Sequence, residues 1–136
     1  MKINPYLSFR GDCEEAMQFY ARVLGGKLEA MIRFDSTPAG GHVPANWRNN
    51  VMHSCLSVGD FMVMGSDVPP DRYEPMKGLY VSLQIEEIAD AERVFKALSE
   101  EGNVMLPLQE TFWAWRFGML TDRFGTPWMV NCAKPT

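Results

Sequence analysis

Residues 5–24, PYLSFRGDCEEAMQFYARVL, decide the fold because their pattern recurs later in the chain. The first part, 5–9, predicts a short strand, and Asp12 is a suitable N-cap for a helix that begins directly after it. Apolar residues at spacings of three and four then predict an amphipathic helix over 13–24, which two glycines end.

The second half of the chain repeats this order at an offset of about 75 residues. A strand is predicted at 78–85 and a helix at 88–101. The offset aligns Ala16 with Ala91, on the apolar face of each predicted helix. Self-similarity of this kind indicates an internal duplication.

Three strands follow each predicted helix. They are expected at 27–34, 51–58 and 61–65 in the first half and at about 103–107, 113–121 and 127–132 in the second. The sequence therefore predicts an α+β fold in which two tandem βαβββ modules form a curved mixed sheet around a cavity. We interpret the chain as one domain, 1–136, with a first module at 1–67 and a second at 78–136.

Two segments rich in proline and glycine interrupt the pattern. Segment 36–50 is longer than compact domains usually tolerate, so it is either a lid over a pocket or a mobile surface insertion. Segment 67–77 holds three prolines, which cannot supply ladder hydrogen bonds. It is predicted to connect the two modules.

Composition and charge exclude several classes of partner. Hydrophobic residues make up 46% of the 136 residues and charged residues 22%, enough for a core without disulfides or a structural metal. The 13 basic and 17 acidic residues include no basic run, so nucleic acid is not an expected partner. We find no signal-peptide pattern and no apolar stretch of about 20 residues, so no membrane association is expected.

The three cysteines, Cys13, Cys55 and Cys132, are widely spaced and odd in number. This spacing argues against a disulfide framework and against a cysteine-based zinc site, and it favours the reducing cytoplasm. Cys13 is also a candidate reactive thiol, because the positive end of a helix favours thiolate. Glu14 and Glu15 beside it oppose that effect.

Several motifs accompany the repeat. They are Phe19-Tyr20, Leu24-Gly25-Gly26, the Met52-His53 strand, Ser66-Asp67, Glu110-Thr111-Phe112-Trp113 and Asp122-Arg123-Phe124-Gly125-Thr126-Pro127-Trp128-Met129. With the βαβββ order, they resemble the vicinal oxygen chelate superfamily, which includes glyoxalase I, extradiol dioxygenases and the bleomycin and fosfomycin resistance proteins. The last two motifs are similar to those of its PhnB-like branch, and the resemblance spans essentially the whole chain.

The resemblance implies a metal-dependent mechanism in many relatives, where first and last strands of each module supply the ligands. The matching positions here are Pro5, Met64, Tyr80 and Met129. Proline, methionine and neutral tyrosine are poor ligands for hard divalent ions. We therefore expect no metal and no other cofactor. The branch is also labelled as demethylubiquinone methyltransferase-like, but the chain has no glycine-rich nucleotide-binding loop to support that activity.

Period-two alternation predicts which side chains line the cavity. If those four matching positions face inward, Leu7 does too, while Trp128 and Val130 pack under the helices. In the tryptophan-rich strand, either Trp113, Trp115 and Phe117 or the alternate set faces inward, and the pattern leaves this open. The candidate ligand-binding residues are His53, Cys55, Met62, Met64, Tyr80, Ser82, Trp113, Trp115, Met129 and Asn131.

Three polar residues allow a further reading. His53 is the one histidine in a predicted strand, so it is a candidate base or hydrogen-bond donor, or else a structural residue. Asp67 and Glu110 lie at strand ends, where they either bind a polar group of a ligand or stabilise turns.

The predicted function is binding of a small organic molecule, aromatic or apolar, in a cavity rich in Met and aromatic side chains. The alternative is a lyase, isomerase or dioxygenase whose metal is held by His53 with Asp67 or Glu110. A third interpretation is a structural or regulatory module that binds no ligand. A homodimer is expected from the resemblance and from the aromatic content of 112–117.

Overall fold

Each half of the chain folds into a strand, a helix and three further strands. The computed structural model describes all 136 residues, in two units, Met1–Pro75 and Met76–Thr136. The first unit contains β1 (Tyr6–Phe9), α1 (Cys13–Leu24), β2 (Lys27–Arg33), β3 (Val51–Val58) and β4 (Phe61–Asp67). The second contains β5 (Val81–Gln84), α2 (Ile88–Ser99), β6 (Asn103–Gln109), β7 (Ala114–Thr121) and β8 (Pro127–Ala133).

The two sheets have the same topology. The strand order is β1-β4-β3-β2 in the first and β5-β8-β7-β6 in the second. The first and last strands of each unit pair in parallel, and all other pairs are antiparallel. Both sheets are therefore mixed, and the predicted α+β class with two tandem βαβββ modules is confirmed.

Helix α1 has the predicted limits. The hydrogen-bond acceptor for the backbone N–H groups at its N-terminus is not the predicted one. Asp12 occupies the N-cap position and makes no side-chain capping bond. Instead, Asp67 at the end of β4 accepts hydrogen bonds from the backbone N–H groups of Gly11 at 2.9 Å and Cys13 at 3.0 Å. The C-terminus ends at Gly25, whose left-handed φ of 69° suits glycine.

Strand β5 and helix α2 are shorter than predicted. The chain turns at Gly78 with a φ of 79°, so regular pairing begins only at Val81. Helix α2 ends at Ser99, because Glu100 adopts an extended ψ of 121° and Glu101 then a φ of 59°, and the N–H of Gly102 returns to the carbonyl of Ser99 at 2.9 Å. A left-handed residue cannot continue a right-handed helix.

The long segment between β2 and β3 is folded into three short 3₁₀ turns: Phe34–Ser36, Pro38–His42 and Ala45–Trp47. Arg33 Nη1 donates to the carbonyl of Asn49 at 3.0 Å, and Arg48 Nε donates to that of Gly40 at 3.1 Å. The ring of Trp47 covers Gly11, where an added Cβ would lie 3.6 Å from Cη2. The segment is therefore held onto the first unit by specific contacts.

The core of each unit lies between its helix and its sheet. Tyr20 and Leu56 are fully buried in the first unit, and Leu98 and Trp128 in the second. Burying a side chain of this size stabilises the folded state by roughly 1.5–3 kcal/mol. Neither helix is long and apolar enough to cross a membrane.

Candidate functional site

Helix α1 covers one face of the first sheet and leaves the other face free of it. Cys13 Sγ on the helix lies 3.4 Å from Ser54 Oγ on β3, and both residues are buried. Because side chains alternate along a strand, His53 and Cys55 point away from the helix. We call this side the distal face. In the first sheet it carries Tyr6, Ser8, His53, Cys55, Ser57, Met62, Met64 and Ser66.

Two side-chain pairs organise the distal face of the first sheet. Tyr6 Oη lies 3.0 Å from His53 Nδ1, and the two rings are stacked with their centroids 5.8 Å apart. Cys55 Sγ donates to Met62 Sδ at 3.1 Å. Met64 is paired in register with both Tyr6 and Cys55, so its side chain lies between the two pairs. Thioether surface and one phenol–imidazole pair therefore share this face.

The prediction that Leu7 faces inward is wrong. Leu7 is 1% exposed and lies on the helix side with Phe9. Tyr6, not Pro5, is the register partner of Met64, so the alternation in β1 is displaced by one residue from the predicted phase. Sequence reasoning missed Tyr6, although the order Tyr-Leu-Ser-Phe already places its polar members on one face.

The second sheet has a distal face of the same kind. The ring of Phe95 on α2 packs against Gly118 of β7. A Cβ added to Gly118 would lie only 2.6 Å from that ring. Phe117 and Met119 therefore point away from the helix, and their register partners are Asn131 and Met129. This distal face carries Ser82, Gln84, Phe117, Met119, Met129 and Asn131.

The open question about the tryptophan-rich strand is answered by Trp113 and Phe117. Trp113 Nε1 donates to Asn131 Oδ1 at 3.2 Å, and its ring meets that of Phe117 edge-on at 5.2 Å, so both belong to the distal face. Arg116 lies on the helix side, where its Nε contacts Glu92 of α2 at 3.1 Å. Trp115 is at a β-bulge, with the ammonium of Lys134 5.1 Å from its ring centre.

Hydrogen bonds link further polar side chains to Trp113 across the second sheet. Asn131 Nδ2 donates to Gln84 Oε1 at 2.8 Å, and Gln84 Nε2 donates to Ser82 Oγ at 2.9 Å. Gln84 was not among the predicted residues, although its position two residues after Ser82 on one strand places both on the same face. Tyr80 precedes β5 and is 36% exposed.

Asp67 cannot bind a ligand as proposed from its place at a strand end. The side chain is 3% exposed, and besides the two bonds at the start of α1 it accepts from the N–H of Val51 at 2.9 Å. It lies on the helix side, opposite His53. A buried carboxylate with three backbone donors is a structural group.

Glu110 is held by an ion pair at the surface of the second unit. Lys134 Nζ lies 2.7 Å from its Oε2, and this hydrogen bond and charge lower the pKa of the Glu110 carboxyl. Nowhere in the chain do three His, Cys, Asp or Glu side chains gather closely enough to hold a metal ion. Because Asp67 lies on the opposite face of the sheet from His53, the predicted metal-holding pair of His53 with Asp67 does not form.

The expectation of a lowered thiol pKa at Cys13 is wrong. Burial raises the pKa of this thiol to about 12, although the hydrogen bond with Ser54 lowers it in part. Negative charges on Asp67, Asp12 and Glu14 act in the same direction as burial. A thiol in this environment stays protonated and inert at neutral pH.

A groove of about 700 Å³ lies beside the C-terminal half of α2. It is lined by Arg93, Phe95, Lys96, Ala97, Ser99, Glu100 and Val104. These residues belong to α2, the turn after it and β6, so the groove contains no residue of either distal face.

Comparison with known proteins agrees with this architecture. Residues 2–130 match the Glyoxalase/Bleomycin resistance protein/Dioxygenase superfamily. The chain therefore belongs to this superfamily, and the resemblance noted in its sequence is confirmed. Among curated proteins, it is 32% identical to Protein YjdN of Escherichia coli (strain K12) over 142 aligned positions, covering 98% of this chain and 97% of that protein.

Two solved structures share the whole fold. Protein PA1353 from Pseudomonas aeruginosa is 49% identical, with a TM-score of 0.90 and 99% of each chain covered. The PhnB protein from Bacillus cereus is 24% identical, with a TM-score of 0.83, covering 98% of this chain and 100% of that one. The second similarity supports the fold, and PhnB is thus among the structural neighbours of this chain.

Proposed function

We propose that the protein binds a small, aromatic or apolar organic molecule on the distal face of a sheet, without a divalent metal. The observation that carries the proposal is the second distal face, where the Trp113–Phe117 ring pair lies beside an ordered row of uncharged polar groups. Ligand sites typically combine apolar and aromatic surface with a few well-placed polar groups.

The composition of both faces supports an apolar ligand. Met62 and Met64 on the first face and Met119 and Met129 on the second present polarisable thioether surface, which adapts to planar ligands. Trp113 is 43% exposed, so part of its indole ring is available for contact. Aromatic pairs add about 0.5–1.5 kcal/mol beyond the burial of their area.

The donor set supports binding without metal. Of the four positions that the resemblance to metal-dependent relatives matches to metal ligands, Met64 and Met129 lie on the distal faces. A thioether is a soft ligand and does not replace carboxylate or imidazole for Mg²⁺ or Mn²⁺. His53 is the imidazole on these faces, and its Nδ1 is engaged by Tyr6.

The proposal includes a cytoplasmic homodimer. All three cysteines are free, which suits a reducing compartment. Phe112 is 90% exposed and Trp115 39%, and exposed aromatic surface of this kind is typical of subunit contacts. Sedimentation velocity tests the dimer: we expect twice the chain mass at micromolar concentration, and a single species at one chain mass would contradict it.

The binding proposal is tested by titrating planar aromatic probes, such as fluorene, into the full-length chain and its variants. Trp113→Ala is expected to weaken fluorene binding at least tenfold, because the ring provides the stacking surface. Phe61→Ala, which removes an aromatic ring that is 78% exposed at the start of β4, is the matched control and should leave binding unchanged. His53→Ala and Tyr80→Ala are also expected to weaken binding while leaving the fold intact, and unchanged affinity in both would contradict the assigned position of the site. No binding by any aromatic probe, or equal effects of Trp113→Ala and Phe61→Ala, would refute the proposal.

A further inference from the structure

Four polar side chains on the distal face of the second sheet form one directed hydrogen-bond chain. It runs from Trp113 through Asn131 and Gln84 to Ser82, with donor–acceptor distances of 3.2, 2.8 and 2.9 Å. None of these residues is fully buried, so the chain borders the surface on which a ligand would lie.

The direction of this chain follows from its first member. An indole N–H only donates, so the Asn131 atom that faces it is the carbonyl oxygen. The amide nitrogen of Asn131 then faces Gln84, whose acceptor is its own carbonyl oxygen, and the amide nitrogen of Gln84 faces Ser82. Trp113 thereby sets the orientation of both amides, which are otherwise ambiguous.

This orientation leaves the surface with hydrogens to donate. The Oγ of Ser82 accepts from Gln84, so its own proton is available to another acceptor. Gln84 and Asn131 each use one amide hydrogen within the chain and keep a second. Their carbonyl oxygens have each received one bond and count as satisfied, whereas a covered N–H or O–H without an acceptor is costly.

The other side chains that pairing with β8 places on this distal face carry no charge. The remaining distal-face residues are Phe117, Met119 and Met129, and Arg116 at the base of β7 is paired with Glu92 on the helix side. Lys134 is paired with Glu110. The surface thus favours a neutral ligand over an ion.

From these steps we propose that the second distal face recognises neutral planar aromatic ketones or related aromatic carbonyl compounds. The ring system stacks on Trp113 and contacts Phe117, whose ring is inclined by 63° to the indole, and the carbonyl oxygen accepts from Ser82, Gln84 or Asn131. This inference rests on the proposed function, which requires only an aromatic or apolar ligand, and adds the acceptor oxygen as the feature that is selected.

The test compares 9-fluorenone with fluorene, which have the same planar framework and differ at one carbon, carbonyl against methylene. Their dissociation constants for the full-length chain are measured by equilibrium dialysis. We expect fluorenone to bind at least tenfold more tightly. Gln84→Glu should reduce that preference to less than threefold, because a carboxylate has no hydrogen to donate and draws the proton of Ser82 inward.

Two further variants complete the design. Gln18→Glu adds the same charge on an exposed position of α1 and should leave the preference unchanged. Ser82→Ala removes the terminal donor and should reduce the preference in part, so the inference stays testable if Gln84→Glu lowers stability. Equal affinities for both probes, or a preference that survives Gln84→Glu and Ser82→Ala, would overturn the inference while leaving aromatic binding intact. Absence of binding by both probes would instead refute the proposed function together with it.

Discussion

At the scale of single residues, Asp67 connects three segments that are distant in sequence. Its two carboxylate oxygens accept from the backbone N–H groups of Gly11, Cys13 and Val51. These groups lie at the start of α1 and the start of β3, while Asp67 ends β4. One buried side chain therefore joins the helix terminus to two strands, and no local pattern in the sequence indicates this role.

Replacing Asp67 is expected to destabilise the protein severely. Asp67→Ala removes the acceptor for three backbone N–H groups, two of them in buried hydrogen bonds, and we expect a loss of about 3 kcal/mol in the free energy of unfolding. Urea denaturation followed by circular dichroism measures it. Asp71→Ala removes an exposed carboxylate in the connecting segment and should change stability by less than about 0.5 kcal/mol. Similar losses in both variants would contradict the role assigned to Asp67.

The buried thiol of Cys13 makes stability depend on alkaline pH. Its pKa is raised to about 12 in the folded protein from an ordinary value of 9.0, so the unfolded chain releases the proton first. Stability from this group is complete below pH 9 and falls as pH rises toward 12, with a slope of up to about 1.4 kcal/mol per pH unit.

A comparison with Cys13→Ala isolates that contribution. Urea denaturation at pH 8 and pH 10 should show a larger loss for the parent protein than for the variant, which has no thiol to titrate at this position. Equal losses would mean that the thiol titrates normally in the folded state.

At the scale of elements, glycines in the strands make room for aromatic rings of the core. Gly118 in the middle of β7 lies under Phe95 of α2, and a Cβ there would also come within 3.0 Å of the Leu106 carbonyl oxygen on β6. Gly65 on β4 is similar, because a Cβ would lie 2.9 Å from the ring of Phe9. The sheet therefore lacks side chains where aromatic rings fill the core.

Adding one methyl group at Gly118 should lower the stability of the protein. Gly118→Ala is expected to destabilise the protein by about 1–3 kcal/mol, because the ring of Phe95 and the neighbouring strand must move. Gly41→Ala is the control, since a Cβ there meets nothing within 4 Å. Thermal unfolding should show a lower Tm for Gly118→Ala only. A Gly118→Ala variant as stable as the parent would show that helix α2 repacks freely.

At the scale of the whole molecule, the chain uses one topology twice and gives each copy different side chains. The first distal face has the Tyr6–His53 pair, and the second has the Trp113–Asn131–Gln84–Ser82 chain. Neither contains a cluster of metal-ligating side chains. Membership of the superfamily thus fixes the scaffold, while the chemistry depends on the residues placed on it.

Divalent metals are expected to leave stability unchanged. A site of micromolar affinity would stabilise the protein by about 4 kcal/mol at millimolar metal, since the ion binds only the folded state. We expect Tm to be the same, within error, in EDTA and with added Mn²⁺, Ni²⁺, Zn²⁺ or Fe²⁺. Elemental analysis of purified, untagged protein is the companion measurement. Near-stoichiometric metal together with a large rise in Tm would support the metal-dependent alternative.

Local patterns predicted the elements well because they depend on neighbours in sequence. Helix α1 and strand β3 have the expected limits, since apolar spacing and flanking glycines are local signals. The prediction of which β1 side chains face away from the helix was wrong, because a strand of four residues is too short for alternation to define its two faces. The pairing of Tyr6 with Met64 assigns those faces. The β-bulge at Trp115 was likewise not predictable from the sequence, because a bulge is a property of two paired strands.

The sequence by itself determined the duplicated βαβββ order and the two amphipathic helices, because hydrophobic periodicity and turn residues encode them locally. Its motifs also carried the resemblance to the superfamily. Tertiary structure alone decided that Asp67 is a structural acceptor, that burial makes Cys13 inert, and that Gln84 joins Trp113 in one hydrogen-bond chain. Each of these depends on residues from different strands meeting in space. Hydrogen bonding and desolvation act over a few ångströms, whatever the separation along the chain.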